Sequence, residues 1–300
     1  MKVTFFGTTT LLFDDGKDQI LFDCHFTRPS LFSYVKGKKC PTNTKLIDEL
    51  IRAHKIDRLR AIFISHTHHD HVMDMPYVAN LTGADVYGSS SALNVARGGG
   101  VPEERLTLFG TPEEDAIELA KSGGMRPATS ETAAFTVGDY RITVIPSLHS
   151  KPTALNNDLG QTIDEPLVQP AGLREYKEGG SFDFLVEAQG KSYLIRPSFN
   201  YVKSQLDDIR ADVLFLGIAG LAKADARTET KFFAETAAKV QPRLIIPLHW
   251  DNFFSPLDKP VKDMPGFVEN TKLAFFRLSR YCEAHGIDTI TQMPLTSLEL

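Results

Sequence analysis

Ala61-Ile62-Phe63-Ile64-Ser65 runs directly into His66-Thr67-His68-His69-Asp70-His71. The first half is a short apolar run of β type, and the second is a polar loop with imidazoles at its first, third, fourth and sixth places and a carboxylate at its fifth. Imidazole nitrogen and carboxylate oxygen are ligands for zinc, iron and manganese alike. A surface turn after a buried strand would need no such set. Two more apolar runs end the same way: Val144-Ile145-Pro146 leads to His149, and Ile245-Ile246-Pro247 leads to His249. Each of these histidines alone could be structural. Three strands that all end in histidine can instead deliver ligands from rigid elements to one cleft.

Outward from this motif the chain alternates strands and helices. Val3–Phe6, Thr9–Phe13 and Gln19–Phe22 read as a meander with a hairpin turn at Asp15-Gly16. Leu46, Ile47, Leu50 and Ile51 recur at helical spacing within Thr44–His54, behind Asn43 or Thr44 as a cap. Short helices are expected near Met75–Leu81 and Ser90–Arg97, before the break at Gly98-Gly99-Gly100, which has no following Lys-Ser or Lys-Thr and so is no phosphate loop. Thr132–Val137 and Tyr140–Pro146 form a second hairpin. Strands Phe182–Ala188, Ser192–Ile195, Val213–Leu216 and Leu244–Ile246 follow. Helices are expected over Thr228–Lys239 and Phe267–His285, and a short strand near Thr289–Thr291. The order predicts two β-sheets face to face with helices on both outer faces. Residues 150–180 are polar and irregular, a length of loop that is usually functional or disordered.

Composition excludes several classes. The 300 residues are 42% hydrophobic, ample for a large core, and the net charge of -5 goes with no basic stripe. That argues against long nucleic acid as a partner, because phosphate contacts need Lys and Arg. No apolar stretch approaches membrane-spanning length, and Asp14 and Asp15 come too early for a signal peptide. Cys24, Cys40 and Cys282 are odd in number and scattered, which fits reduced thiols and a cytoplasmic location.

With these motifs the chain resembles the metallo-β-lactamase superfamily of hydrolases. The resemblance rests on the strand end at Asp23, the His66–His71 motif, His149 and His249, and it spans nearly the whole chain. Ile20-Leu21-Phe22-Asp23 and Pro247-Leu248-His249-Trp250-Asp251 are most similar to the branch containing ascorbate-6-phosphate lactonase. It implies an α/β fold, the four-layer αββα sandwich, as one domain over 1–300 made of two pseudo-symmetric halves, with 150–180 as a lid loop. It also implies His66, His68 and His149 as ligands of one metal and Asp70, His71 and His249 as ligands of a second. His69 is left out, and Asp23 orients the His loop rather than binding metal. The cofactor is a divalent metal, zinc first with manganese or iron as alternatives, one or two per chain.

One position departs from the family pattern. Ser198, in Arg196-Pro197-Ser198-Phe199-Asn200, stands where the family has an aspartate that bridges both metals. Arg196 would add a repelling charge if it faced the same way, while Asn200 or Asp251 could supply a compensating oxygen. The expectation is a weakened second site or a single metal. The implied activity is hydrolysis of a small, anionic ester or lactone, with Asp70 as the residue that orients water and moves its proton. Arg174, Tyr176, Lys177 and Trp250 are candidates for substrate contact. The alternatives are a phosphodiesterase or nuclease of the same superfamily, and a non-catalytic metal- or ligand-binding relative. A homo-oligomer is left open.

Overall fold

The computed structural model describes residues 1–125, 132–152 and 157–300. Two seven-stranded sheets pack face to face, and helices cover the outer faces in a four-layer αββα sandwich. In the first sheet the order is Thr296–Glu299, Lys2–Gly7, Thr10–Asp14, Gln19–Phe22, Leu59–Phe63, Asp85–Gly88 and Leu106–Leu108. In the second it is Asp288–Thr289, Leu244–Leu248, Val213–Gly217, Lys191–Arg196, Ser181–Ala188, Tyr140–Ser147 and Ala133–Val137.

The alternation of the first sheet explains the layers. Phe5, Leu11, Phe13, Ile20, Phe22, Ala61 and Phe63 are buried against the second sheet. Their neighbours Phe6, Leu12, Leu21 and Ile62 are buried in a separate cluster with Ile47, Leu50, Val78, Ala92 and Val95 of the helices Thr44–Ala53, Met75–Thr82 and Ser90–Gly98. A strand with period-two side chains, apolar at every position, must be covered on both faces. Aromatic edges join the sheets, with Phe13 5.4 Å from Tyr193 and Phe22 5.3 Å from Phe184 between ring centres. Truncating a ring such as Phe22 to alanine would cost about 3–5 kcal/mol by the usual penalty for an aromatic cavity.

Strand direction positions the site. Gln19–Phe22 runs parallel to Leu59–Phe63, and Val213–Gly217 runs parallel to Leu244–Leu248. The C-terminal ends of Gln19–Phe22 and Leu59–Phe63 therefore release Asp23 and His66 at the same edge. In the other sheet, Tyr140–Ser147 ends before His149 and Leu244–Leu248 ends at His249.

Most expected elements form, and the differences have local causes. Asn43 caps its helix as expected, its Oδ1 accepting from Leu46 N at 3.2 Å. The helix expected over 228–239 is two pieces, Ala226–Glu235 and Ala237–Val240, broken at Thr236 (φ -120, ψ -92), whose hydroxyl donates to Phe232 O at 2.6 Å. The last helix is Thr271–His285 rather than from Phe267, because Asn270 takes the cap and accepts from Leu273 N. The helix Thr111–Ser122 was not anticipated, although Thr111-Pro112-Glu113-Glu114 carries Pro and acids in its first turn. Within 150–180, residues 157–180 form a packed strap: Ala171–Gly172 pairs with Lys39–Cys40, and Leu173 and Tyr176 are buried in the helix-side core.

Candidate metal centre

Two groups of side chains converge at the strand ends. His66, His68 and His149 form one, and Asp70, His71 and His249 form the other; within each group the donor atoms lie within 4.8 Å of one another. The groups are contiguous, with the rings of His66 and His71 3.7 Å apart. The first two ligand candidates of the motif, His66 and His68, come from the loop 66–68 and the next two, Asp70 and His71, from the single helical turn His69–Val72. That change of backbone lets alternate residues face one centre and Asp70 and His71 face the other.

The protein holds one nitrogen of each of the His66, His68, His71 and His149 rings. His71 Nδ1 donates to Asp23 Oδ2 at 2.8 Å. His66 Nδ1 donates to Ser65 Oγ at 3.2 Å, and Ser65 Oγ donates on to Asp23 Oδ2 at 2.8 Å. His149 Nδ1 donates to Ser150 O at 2.9 Å. His66 Nε2 is thereby buried with no hydrogen-bond partner among the described residues, an arrangement that costs free energy unless something fills it. In the second group Asp70 Oδ2 lies 3.6 Å from His71 Nε2 and 3.4 Å from His249 Nε2. Open nitrogen lone pairs with a carboxylate between two of them fit a divalent metal, and zinc, iron and manganese all take such donors.

Electrostatics favour the ligand form. Burial, reinforced by His71, holds His66 well below the usual imidazole value, and burial with His68 pushes His149 down to about 3. Both rings are therefore neutral and can donate a lone pair. Burial works to raise the Asp70 carboxyl, but His71 and His249 outweigh it and hold the group ionised. His69, pushed down to about 4 by burial, faces elsewhere: it stacks on Tyr34 at 5.3 Å and lies beside Phe254 at 6.3 Å.

The support behind these ligands is strained and densely bonded. Asp23 is left-handed (φ 53) and accepts from Thr9 Oγ1 at 2.5 Å and from Ser65 N at 2.8 Å, besides Ser65 Oγ and His71. Thr8 (φ 55) and His249 (φ 57) are left-handed too, and His249 N donates to Thr8 O at 2.7 Å. Non-glycine residues hold such backbone only where their surroundings over-determine it. Here the surroundings include the buried pair Arg28–Asp251 at 2.8 Å, with Thr8 N donating to Asp251 Oδ1.

Some candidates lie elsewhere. Asp251 is engaged by Arg28 and Thr8 and is not a compensating ligand. Arg196 does not face the centre as a free charge: its Nε donates to Asp183 Oδ2 at 2.7 Å, both side chains being buried. Asn200 Nδ2 donates to His149 O at 2.7 Å, so it holds the His149 loop. Ser198 is buried on the segment of Asn200, its carbonyl accepting from Asn200 N. Tyr176 is core, bonded to Gln169 Nε2, and Trp250 is core against Phe275, so neither is a surface for substrate. Arg174 lies over the Tyr34 ring, 5.5 Å from its centre, beside the His69–Phe254 stack. Lys177 is half-buried on the strap, and its carbonyl accepts from Thr67 Oγ1.

Three residues escaped the sequence. Asp158 lies on the strap with Oδ1 3.1 Å from His68 Nε2, and Thr9 and Arg28 support the two left-handed turns. Asp158 stands in a polar, irregular stretch with no periodicity to mark it. Only Thr9 carried a signal, as the residue opening a strand beside the Asp23 strand end.

Known proteins place this geometry. A metal-dependent hydrolase of Cupriavidus taiwanensis is 29% identical over 196 residues, 65% of this chain and 59% of its own length. One of Heliobacterium modesticaldum is 23% identical over 261 residues, 84% of each chain. The chain spans less than two thirds of the Cupriavidus relatives it matches, 59% of that one and 35% of another from Cupriavidus necator. Among solved structures, the isothiocyanate hydrolase from Delia radicum gut bacteria shares the fold at TM-score 0.53, with 11% identity, covering 100% of this chain and 99% of that one. The model of the beta-lactamase superfamily domain matches residues 19–250, and the chain belongs to that superfamily.

Proposed function

We propose that the protein is a metal-dependent hydrolase acting on a small anionic ester or lactone. The observation that carries this reading is the pair of contiguous ligand groups, in which the rings of His66, His71 and His149 are held at Nδ1 and open at Nε2. A bound divalent ion supplies a water whose pKa falls towards ~7 and polarises the substrate oxygen. The chain's own residues supply the rest. His66, His68 and His149 would hold one ion, and Asp70, His71 and His249 would hold a second.

Asp70 is ionised and sits between His71 and His249, so it can accept a proton from the attacking water and orient it. Where the second group holds no ion, His249, which burial would lower but the Asp70 contact holds above the ordinary imidazole value, can return a proton to the leaving group. The wall beside His249 is aromatic: Phe253 meets its ring edge-on at 5.2 Å, and Phe254 and Tyr34 continue it to Arg174. An apolar wall that ends in a guanidinium suits a substrate with an apolar body and an anionic group.

The test is turnover of a panel of lactones, carboxylic esters and phosphodiesters by protein loaded with zinc, manganese or iron. His66→Ala and Asp70→Asn are the inactive controls. Ester or lactone turnover that rises with an anionic substituent, and whose KM rises in Arg174→Ala, supports the proposal. Turnover confined to phosphodiesters would favour the phosphodiesterase reading. Loaded protein inert on the whole panel would favour the non-catalytic one.

A further inference from the structure

We propose that Asp158 is a positioning residue for His68, holding its Nε2 so that Nδ1 faces the ligand group. The inference rests on the assignment of His66, His68 and His149 as metal ligands. His66, His71 and His149 are all held at Nδ1 and open at Nε2. His68 is the exception: its Nε2 contacts Asp158 Oδ1 at 3.1 Å. A ring that donates Nε2–H to a carboxylate has its lone pair on Nδ1, and Nδ1 is the atom left to join His66 Nε2 and His149 Nε2. The first group contains three imidazoles and no acid. A carboxylate on the far side of one ring raises that ring's basicity and lowers the net positive charge of a loaded site.

The strap is built to hold Asp158 there. Its carbonyl accepts from Gln161 N at 2.9 Å, and Gly179 N donates to Gln161 O at 2.9 Å. Gly160 N donates to Glu178 Oε2 at 2.8 Å, and Thr67 N, between the two histidines, donates to Glu178 O at 2.9 Å. Gly179 is left-handed (φ +69) where a Cβ would strike Thr67 Oγ1 and Ser91, so glycine lets the strap lie against the His loop. Asp158 thus does for His68, from a distant segment, what Asp23 does for His71.

The experiment uses the full chain, with zinc affinity measured by chelator competition for wild type, Asp158→Ala, Asp158→Asn and the exposed-loop control Asp164→Asn. The expected result is a 10–100-fold weaker affinity in Asp158→Ala, partial rescue in Asp158→Asn, whose amide oxygen still accepts Nε2–H, and no change in the control. Two further readouts separate positioning from bulk stability. Nitrogen-15 NMR of metal-free protein should show His68 as the Nε2–H tautomer in wild type and a mixture in Asp158→Ala. The cobalt-loaded absorption spectrum should keep its coordination number in the variant. Unchanged affinity in Asp158→Ala, or an unchanged tautomer, overturns the proposal, and so does loss of a cobalt ligand, which would make Asp158 a direct ligand. Wild type that binds no metal would sink the ligand assignment and this proposal together, whereas wild-type binding lost in His66→Ala but untouched in Asp158→Ala sinks this one alone.

Discussion

Replacing Asp23 by asparagine should cost both stability and metal affinity, and the structure sets the size of each. Asp23 is fully buried. Its Oδ2 accepts from Thr9 Oγ1 at 2.5 Å, Ser65 Oγ at 2.8 Å and His71 Nδ1 at 2.8 Å, and its Oδ1 accepts from Ser65 N at 2.8 Å. A hydrogen bond to a charged acceptor contributes about 1.5–3 kcal/mol and one between neutral groups about 0.5–1.5. Neutralising the acid while three donors still converge on one end therefore costs about 1 kcal/mol for each, or about 3 in all. Asparagine tolerates the left-handed backbone at this position, so no further strain is added.

The new amide also presents N–H where His71 Nδ1–H points. The ring relieves that clash by moving its proton to Nε2, the nitrogen that faces Asp70. Metal affinity of the Asp70–His71–His249 group should then fall about 10–100-fold, as for other lost carboxylate partners of ligand histidines. The assays are thermal unfolding of metal-free protein, where a drop of roughly 6–12 °C is expected for a chain of this size, and metal titration by chelator competition. An Asp23→Asn protein with wild-type Tm and wild-type affinity would refute the reasoning.

Further outcomes follow from the same geometry. Asp70→Asn should lower kcat about 10²–10⁴-fold, the usual worth of a positioned proton acceptor, while circular dichroism shows a folded chain; near-normal kcat would remove Asp70 from the mechanism. Arg196→Met should destabilise metal-free protein by about 3–5 kcal/mol in urea unfolding, because it strands Asp183 buried and unpaired, and Asp183→Leu added to it should recover most of that loss. A double variant no better than the single would show that the pair is not the cause. Asp74, raised by burial although Phe26 N and Thr27 N donate to it, is harder to ionise in the folded state than in the unfolded chain. Wild type should therefore lose stability relative to Asp74→Asn as pH rises above the unfolded carboxyl value near 3.8 towards 7; a difference that stays flat between pH 4 and 7 would contradict it.

The strand-end grammar made much of this legible. The apolar run before His66, and those before His149 and His249, lie in buried strands that open at one edge, so the strand pattern carried the layer order and brought these candidate histidines together, while their division into two ligand groups came from the family resemblance. Asn43 was readable as a cap because a side-chain acceptor ahead of an amphipathic run has a mechanical role, whereas the cap at Asn270 was passed over and the helix begun too early. What stayed hidden depends on contacts far apart in sequence. Arg196 beside the ligand loop read as a stray positive charge, and only the sheet pairing that sets Asp183 within reach neutralises it. Trp250 and Tyr176 looked like substrate contacts because their neighbours His249 and Lys177 lie near the site, but their own side chains pack inward, Trp250 against Phe275 and Tyr176 against Gln169. The Asp158–His68 contact joins residues 90 positions apart, and no local pattern could announce it.

Metal content by mass spectrometry, on untagged protein purified without chelator and again after reconstitution, bears most directly on the two ligand groups. The expected result is one tightly held equivalent per chain, lost in His66→Ala, with a second retained more weakly because Ser198 supplies no carboxylate to bridge the pair. Two equally tight equivalents would contradict the part assigned to Ser198, and no metal even after reconstitution would contradict the metal centre itself.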